Sequence, residues 1–115
     1  MTTTSSPKSF LYLIFAKIGE NCYIGKSVRI GKSVRIKNSI ILGGCEIEDY
    51  SYLSNCIVGW NTKVERWARI EGSSDGTRTT VIGVGCHVGE GAHIQGCVAL
   101  PLKELTDKYV DMIIV

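Results

Sequence analysis

Ile24-Gly25-Lys26-Ser27-Val28-Arg29 is followed at once by Ile30-Gly31-Lys32-Ser33-Val34-Arg35, the same six residues in the same order. A six-residue period fits neither the 3.6-residue repeat of a helix nor the two-residue repeat of an ordinary strand pair. It fits a coil in which short strands and tight corners alternate, three to a turn, around a triangular core. Outward from the duplicate, an aliphatic residue recurs at Ile18, Ile24, Ile30, Ile36 and Leu42. It continues at Ile47 and Leu53, then at Val58, Val64 and Ile70, after two shorter steps. The series resumes at Ile82, Val88, Ile94 and Leu100.

Two residues before these aliphatics stand small or β-branched ones: Ala16, Cys22, Val28, Val34, Ile40, Cys45, Ser51, Cys56, Thr62, Ala68, Thr80, Cys86, Ala92 and Val98. Positions two apart on a strand share a face. Each strand therefore points one large and one small side chain inward, and the residue between them outward. The expected fold is all-β, a single left-handed parallel β-helix of the hexapeptide-repeat type with 18 residues per coil. The preference for right-handed crossovers comes from strand twist, and strands this short twist little. Between four and five coils at ~4.8 Å each predict a prism roughly 20 Å tall.

The period divides the chain. Residues 1–15 are expected to be an irregular lead that caps the open end, and 16–101 the β-helix. Residues 71–79, the polar EGSSDGTRT stretch, form a loop leaving one corner. Pro101 is expected to end the coil, leaving 102–115 as a capping tail, a short helix followed by an extended end.

The net charge of +2 announces neither a nucleic-acid nor a membrane partner. Lys26, Arg29, Lys32, Arg35 and Lys37 form a run without acids, read as solvated corners. The apolar stretch from Phe10 to Ala16 is too short to span a bilayer. Five cysteines form no CxxC pair, and Cys22, Cys45, Cys56 and Cys86 occupy the small inward position. There cysteine behaves as a small hydrophobe, and reduced thiols suit the cytoplasm. Cys97 falls outside that register and is expected to be the reactive one.

His87 and His93 point outward on adjacent faces, so they do not converge on a metal ion, which needs three or four ligands. No phosphate-cradling loop or catalytic triad is legible, and no catalytic, cofactor-binding or metal-binding residue is assigned. An alternative function is a hexapeptide-type acyltransferase, in which His87 or His93 would serve as general base beside an acyl-CoA groove. A non-catalytic scaffold is a third.

Counting repeats in threes sorts the outward residues into faces. One carries Lys17, Arg35, Tyr52 and Arg69, another Arg29, Glu46 and Lys63. The last carries Tyr23, Ile41 and Ile57, an apolar ribbon where water should be, with Trp60 at its corner and Trp67 also outward. Exposed apolar ribbons mark contact sites, so these five residues are the expected interface.

Two segments go beyond a generic repeat. Ser54-Asn55-Cys56-Ile57-Val58-Gly59-Trp60-Asn61 and Trp67-Ala68-Arg69-Ile70-Glu71-Gly72 resemble the S-I-V-G-W and W-A-R-[VI]-E-G motifs of GDP-mannose pyrophosphorylase carboxy-terminal domains. Val98-Ala99-Leu100-Pro101-Leu102-Lys103-Glu104-Leu105 is similar to that family's I-V-L-P-H-K-E-L, with Leu102 where histidine is usual. The K-E-L tail and the loop after Glu71-Gly72 look more like the alpha, regulatory type than the catalytic beta type. The resemblance implies an assembly and regulatory domain that binds no cofactor itself. GTP and Mg²⁺ would belong to a nucleotidyltransferase domain with no counterpart here. Its expected partners are further copies of the chain or a catalytic pyrophosphorylase subunit.

Overall fold

The computed structural model describes residues 3–4, 17–19 and 21–115. The expected lead and Ala16 lie, apart from Thr3 and Thr4, outside the described residues. The described chain is a coil of two- and three-residue strands stacked into three parallel sheets. The first face stacks Thr3–Thr4, Tyr23–Ile24, Ile40–Ile41, Cys56–Val58, Thr80–Ile82, Val98–Ala99 and Ile113–Ile114. The second stacks Arg29–Ile30, Glu46–Ile47, Lys63–Val64, His87–Val88 and Glu104–Leu105. The third stacks Lys17–Ile18, Arg35–Lys37, Tyr52–Ser54, Arg69–Glu71, His93–Gln95 and Lys108–Val110. The architecture is the parallel β-helix that the six-residue period predicts.

Inside, the large position is filled by Ile24, Ile41, Val58, Ile82 and Ala99 on the first face, and by Ile30, Ile47, Val64, Val88 and Leu105 on the second. The small position sits where the prism narrows toward a corner, and it often carries a polar atom. That atom donates to a backbone carbonyl of the next coil. Cys45 Sγ reaches Gly59 O at 3.0 Å, Thr62 Oγ1 donates to Gly83 O at 3.1 Å, and Ser51 Oγ to Glu65 O at 2.9 Å.

The register departs from expectation in two strands. Ile41 is fully buried while Ile40 is 40% exposed, and the small inward residue is Ser39. Likewise Cys97 and Ala99 point inward, while Val98 and Leu100 are exposed. Both slips have one cause. The step between large inward residues is five rather than six on entering the first face from Ile36 to Ile41, from Leu53 to Val58 and from Ile94 to Ala99, through corners whose left-handed residue is Asn38 (φ 49°), Asn55 (φ 51°) or Gly96 (φ 64°). Equivalent residues such as Ile40 and Ile57 therefore lie 17 apart. Asparagine tolerates this conformation better than most residues. Ser39 then fills the small site, donating to Lys37 O at 2.8 Å and accepting from the Cys56 amide at 3.4 Å. Ile40 in that position would leave both backbone groups without these partners.

The end of the chain also differs. Residues 104–114 form no helix but three more strands that continue all three faces past Pro101. Leu105 is buried at the large position of a further coil, with Tyr109 and Ile114 packed against the core. After the strand that ends at Glu71 the chain runs as a loop, and the next strand begins at Thr80.

Candidate functional site

The inward pattern is the same on all three faces, so any difference in what they do lies in the outward ladders. Strand registers put Tyr23, Ile40, Ile57, Val81, Val98 and Ile113 in one line up the first face. This ladder contains no charged residue. Ile41, expected in it, lies instead in the core. Ile40 takes its place, and Val81, Val98 and Ile113 extend the ribbon beyond what the sequence reading assigned. The corner that follows this face adds Trp60 (55% exposed), Val84, Leu100 and Leu102. Trp60 lies over Gly43 of the preceding coil, where a larger residue would meet the ring. Trp67 is 59% exposed but belongs to a different corner, where its ring stacks on Tyr50 at 4.7 Å between centroids. The structure thus brings Tyr23, Ile57 and Trp60 together and leaves Trp67 apart.

The second face is a charge ladder, Arg29, Glu46, Lys63, His87 and Glu104. His87 Nε2 lies 2.7 Å from Glu65 Oε2, and Nδ1 lies 3.2 Å from Glu104 Oε1. Two carboxylates on opposite ring nitrogens favour the doubly protonated ring. The hydrogen bond that His87 donates to Glu65, then the one it donates to Glu104, raises the His87 pKa above its ordinary value. His87 in turn holds Glu65 below the usual carboxylate range. With both nitrogens engaged, His87 is poorly placed to accept a proton from a substrate.

On the third face, Arg69 stacks over the Tyr52 ring at 5.1 Å and its Nε reaches Glu71 Oε2 at 2.6 Å. Glu71 also holds His93 Nε2 at 3.0 Å. The five basic residues of the 24–39 run are distributed around the coil, on two faces and two corners, and make no single patch.

The loop is built around Asp75. Ser73 Oγ, the Thr77 amide and Thr77 Oγ1 donate to its Oδ1 at 2.6, 3.0 and 2.7 Å, which holds its pKa below the ordinary carboxylate value. Arg78 Nη2 crosses to Asp111 Oδ1 of the last coil at 2.8 Å. Between this loop and Met112 and Ile113 runs a cleft of about 730 Å³. Its one cation, Arg78, is already paired, so the cleft is no cradle for phosphates.

All five cysteines are buried, and none is in a disulfide. Burial pushes the Cys56 thiol up to about 12. Cys97 is as buried as the others, because the five-residue corner turns it inward. Among the described residues, no group of three His, Cys, Asp or Glu side chains is placed to hold a metal ion. No described helix is long and apolar enough to cross a membrane.

Residues 15–115 match the family model described as the GMPPB C-terminal domain. The chain is 47% identical to the mannose-1-phosphate guanylyltransferase catalytic subunit beta of Drosophila melanogaster, over 78% of this chain and 24% of that protein. It is 43% identical to a mannose-1-phosphate guanyltransferase of Hypocrea jecorina, over 78% of this chain and 25% of the relative. It is 39% identical to the catalytic subunit beta of Danio rerio, over 58% and 17%. The chain spans about a quarter of the length of the first of the curated relatives it matches. The family model and both subunit-labelled relatives here are of the beta type, where the K-E-L tail and the loop lead to an expectation of the alpha type.

Proposed function

Because the chain belongs to the GMPPB C-terminal domain family, we propose that it is the assembly and regulatory module of a GDP-mannose pyrophosphorylase. It is the carboxy-terminal domain of GDP-mannose pyrophosphorylase-like proteins, and the match of residues 15–115 to that domain carries the proposal. The whole activity would be the transfer of GMP from GTP to mannose 1-phosphate, giving GDP-mannose and releasing pyrophosphate, with Mg²⁺ and GTP held by a nucleotidyltransferase domain. The described residues do not fit either group. No three acids converge on a cation site, and the one cleft cation near the loop is neutralised. We assign the chain no step of nucleotidyl transfer. Its role is to position catalytic units, and buried thiols outside any disulfide suit the cytoplasm.

The test pairs two measurements. The purified chain is assayed for exchange of label between GTP and GDP-mannose with mannose 1-phosphate and Mg²⁺, and no turnover is expected. A catalytic guanylyltransferase subunit is then titrated with the chain, and co-sedimentation is expected. Turnover that survives repurification overturns the division of labour. Failure to co-sediment with any guanylyltransferase subunit overturns the assembly role.

A further inference from the structure

We propose that the lower half of the third face binds a phosphate monoester, with Arg35 and Lys37 taking its charge and the Tyr52 ring its organic part. The observation is a cavity of about 350 Å³ lined by Gly19, Arg35, Ile36, Lys37 and Tyr52. Arg35 and Lys37 flank the buried Ile36 on one three-residue strand, so both point outward. Their Cα atoms are ~6.6 Å apart along the strand, close enough for two long side chains to close on one group between them. Gly19 lies beside Lys37 in the coil below, where a Cβ would meet Lys37 Cβ at 3.2 Å. The bare glycine keeps that side of the cavity open.

Nothing in the fold answers the charge of this pair. Every ion pair among the described residues joins residues between Lys63 and Asp111, and Arg35 and Lys37 enter none of them. The acid that shares their face, Glu71, stands two rungs above Lys37, beyond Ser54. Two rungs are ~9.6 Å. Its Oε2 is already engaged by Arg69 at 2.6 Å and His93 at 3.0 Å. Asp49, on the corner that leads to this face, gives its Oδ1 to the Lys32 amide at 2.9 Å. The third face is thus divided. Its upper half pairs its own charges, and its lower half presents two cations to water.

The chemistry selects the ligand. Two unit charges match a phosphate monoester, which carries about −1.5 to −2 at neutral pH. A guanidinium grips phosphate through two parallel N–H donors, and an ammonium adds a point charge. Among the described residues no carboxylate lines the cavity, so a magnesium nucleotide finds none of the acidic ligands it needs there, and the phosphate is held directly. Arg69 packs over the Tyr52 ring at 5.1 Å and fixes it. The part of Tyr52 that lines the cavity is then a firm surface for a sugar ring. Small-molecule sites begin at roughly 300 Å³, so this volume suits a sugar phosphate better than a nucleotide. The site goes beyond the assembly role proposed above. It is read on the chain alone, with no guanylyltransferase present, so failure of either reading leaves the other standing.

The experiment is an NMR titration of the whole ¹⁵N-labelled chain, with mannose 1-phosphate and inorganic phosphate as separate probes and circular dichroism as a check on the fold. In low salt, mannose 1-phosphate should bind with a dissociation constant below about 1 mM. Its amide shifts should centre on Gly19, Arg35, Lys37 and Tyr52. Inorganic phosphate should shift the same amides but bind at least threefold more weakly, since it leaves Tyr52 uncovered. Arg35→Gln and Lys37→Gln should each weaken the ester at least fivefold, and Arg35→Glu should abolish binding. Tyr52→Ala should bring the ester down to the affinity of inorganic phosphate and leave inorganic phosphate unchanged. Lys63→Gln removes one cation from the second face and should change nothing. Absence of shifts, shifts spread over all three faces, or an equal loss in Lys63→Gln overturns the site. Equal affinity for the ester and for inorganic phosphate overturns the part assigned to Tyr52.

Discussion

The first and second faces of one coil differ only in the residue between their two inward positions. Ile24, Ile41 and Val58 on one, and Ile30, Ile47 and Val64 on the other, are all buried. Between them stand Tyr23, Ile40 and Ile57 on the first face, and Arg29, Glu46 and Lys63 on the second. Stability and contact chemistry are thus carried by alternate residues of the same strand. A face can exchange water for a partner without any change to the core beneath it.

The largest effect should come from neighbours on one strand. Ile41→Ala is expected to cost about 2–5 kcal/mol, since it removes a fully buried side chain and leaves a cavity. Ile40→Ala should stay within about 0.5 kcal/mol when measured on dilute protein. Urea unfolding of both variants reads the difference, and equal losses would break the assignment of inside and outside.

Cys56→Phe should cost about 1–3 kcal/mol by overpacking the narrow site beneath the first face. In the unmodified chain all five thiols should resist a thiol reagent until denaturant is added, Cys97 included. Mass spectrometry showing Cys97 labelled first would restore the six-residue register and dissolve the ladder at Val98.

Leu102 holds φ at 64° at the corner beside the first face, a conformation that costs a non-glycine residue roughly 1 kcal/mol. Its side chain is 76% exposed and contributes little packing. Leu102→Gly should therefore raise the unfolding free energy by up to about 1 kcal/mol. A loss of stability would show that this leucine is covered.

The smallest effect belongs to the second face. The folded pKa of His87 is raised from 6.5, so its contribution is fully present below that value and is lost as pH rises through the raised one. Glu65 is lowered from 4.5, so its contribution is present above that value and lost as pH falls through the lowered one. The clasp from Glu65 through His87 to Glu104 should therefore count most at about pH 5–7. His87→Gln should lower Tm slightly at pH 6 and not at pH 9, and added salt should shrink the difference, since these groups are partly exposed. A pH-independent loss would make His87 a packing residue instead.

Glu65 and Glu104 illustrate what could not be read in advance. They lie 22 and 17 residues from His87, and only the stacking of coils brings them to its two nitrogens. The misplacement of Ile41 is of another kind, because its signal was present. Asn38 stands three residues before Ile41, as Asn21 does before Ile24 and Asn55 before Val58, and each is the left-handed residue of its corner. A run such as Ile40-Ile41-Leu42 satisfies either register by hydrophobicity alone, and the corner geometry chooses between them.

The sequence by itself determined the class of fold, the inward residues of eleven of the thirteen repeats in which both are described, and the family. Those follow from a period, and a period is a local property that each strand states for itself. The tertiary structure decided which outward residues share a line. A coil of 17 residues rather than 18 shifts the alignment by one position per turn, so a single corner sets the composition of an entire face. It also decided that the last residues form another coil, because Leu105, Tyr109 and Ile114 gain burial only by stacking on a coil already made.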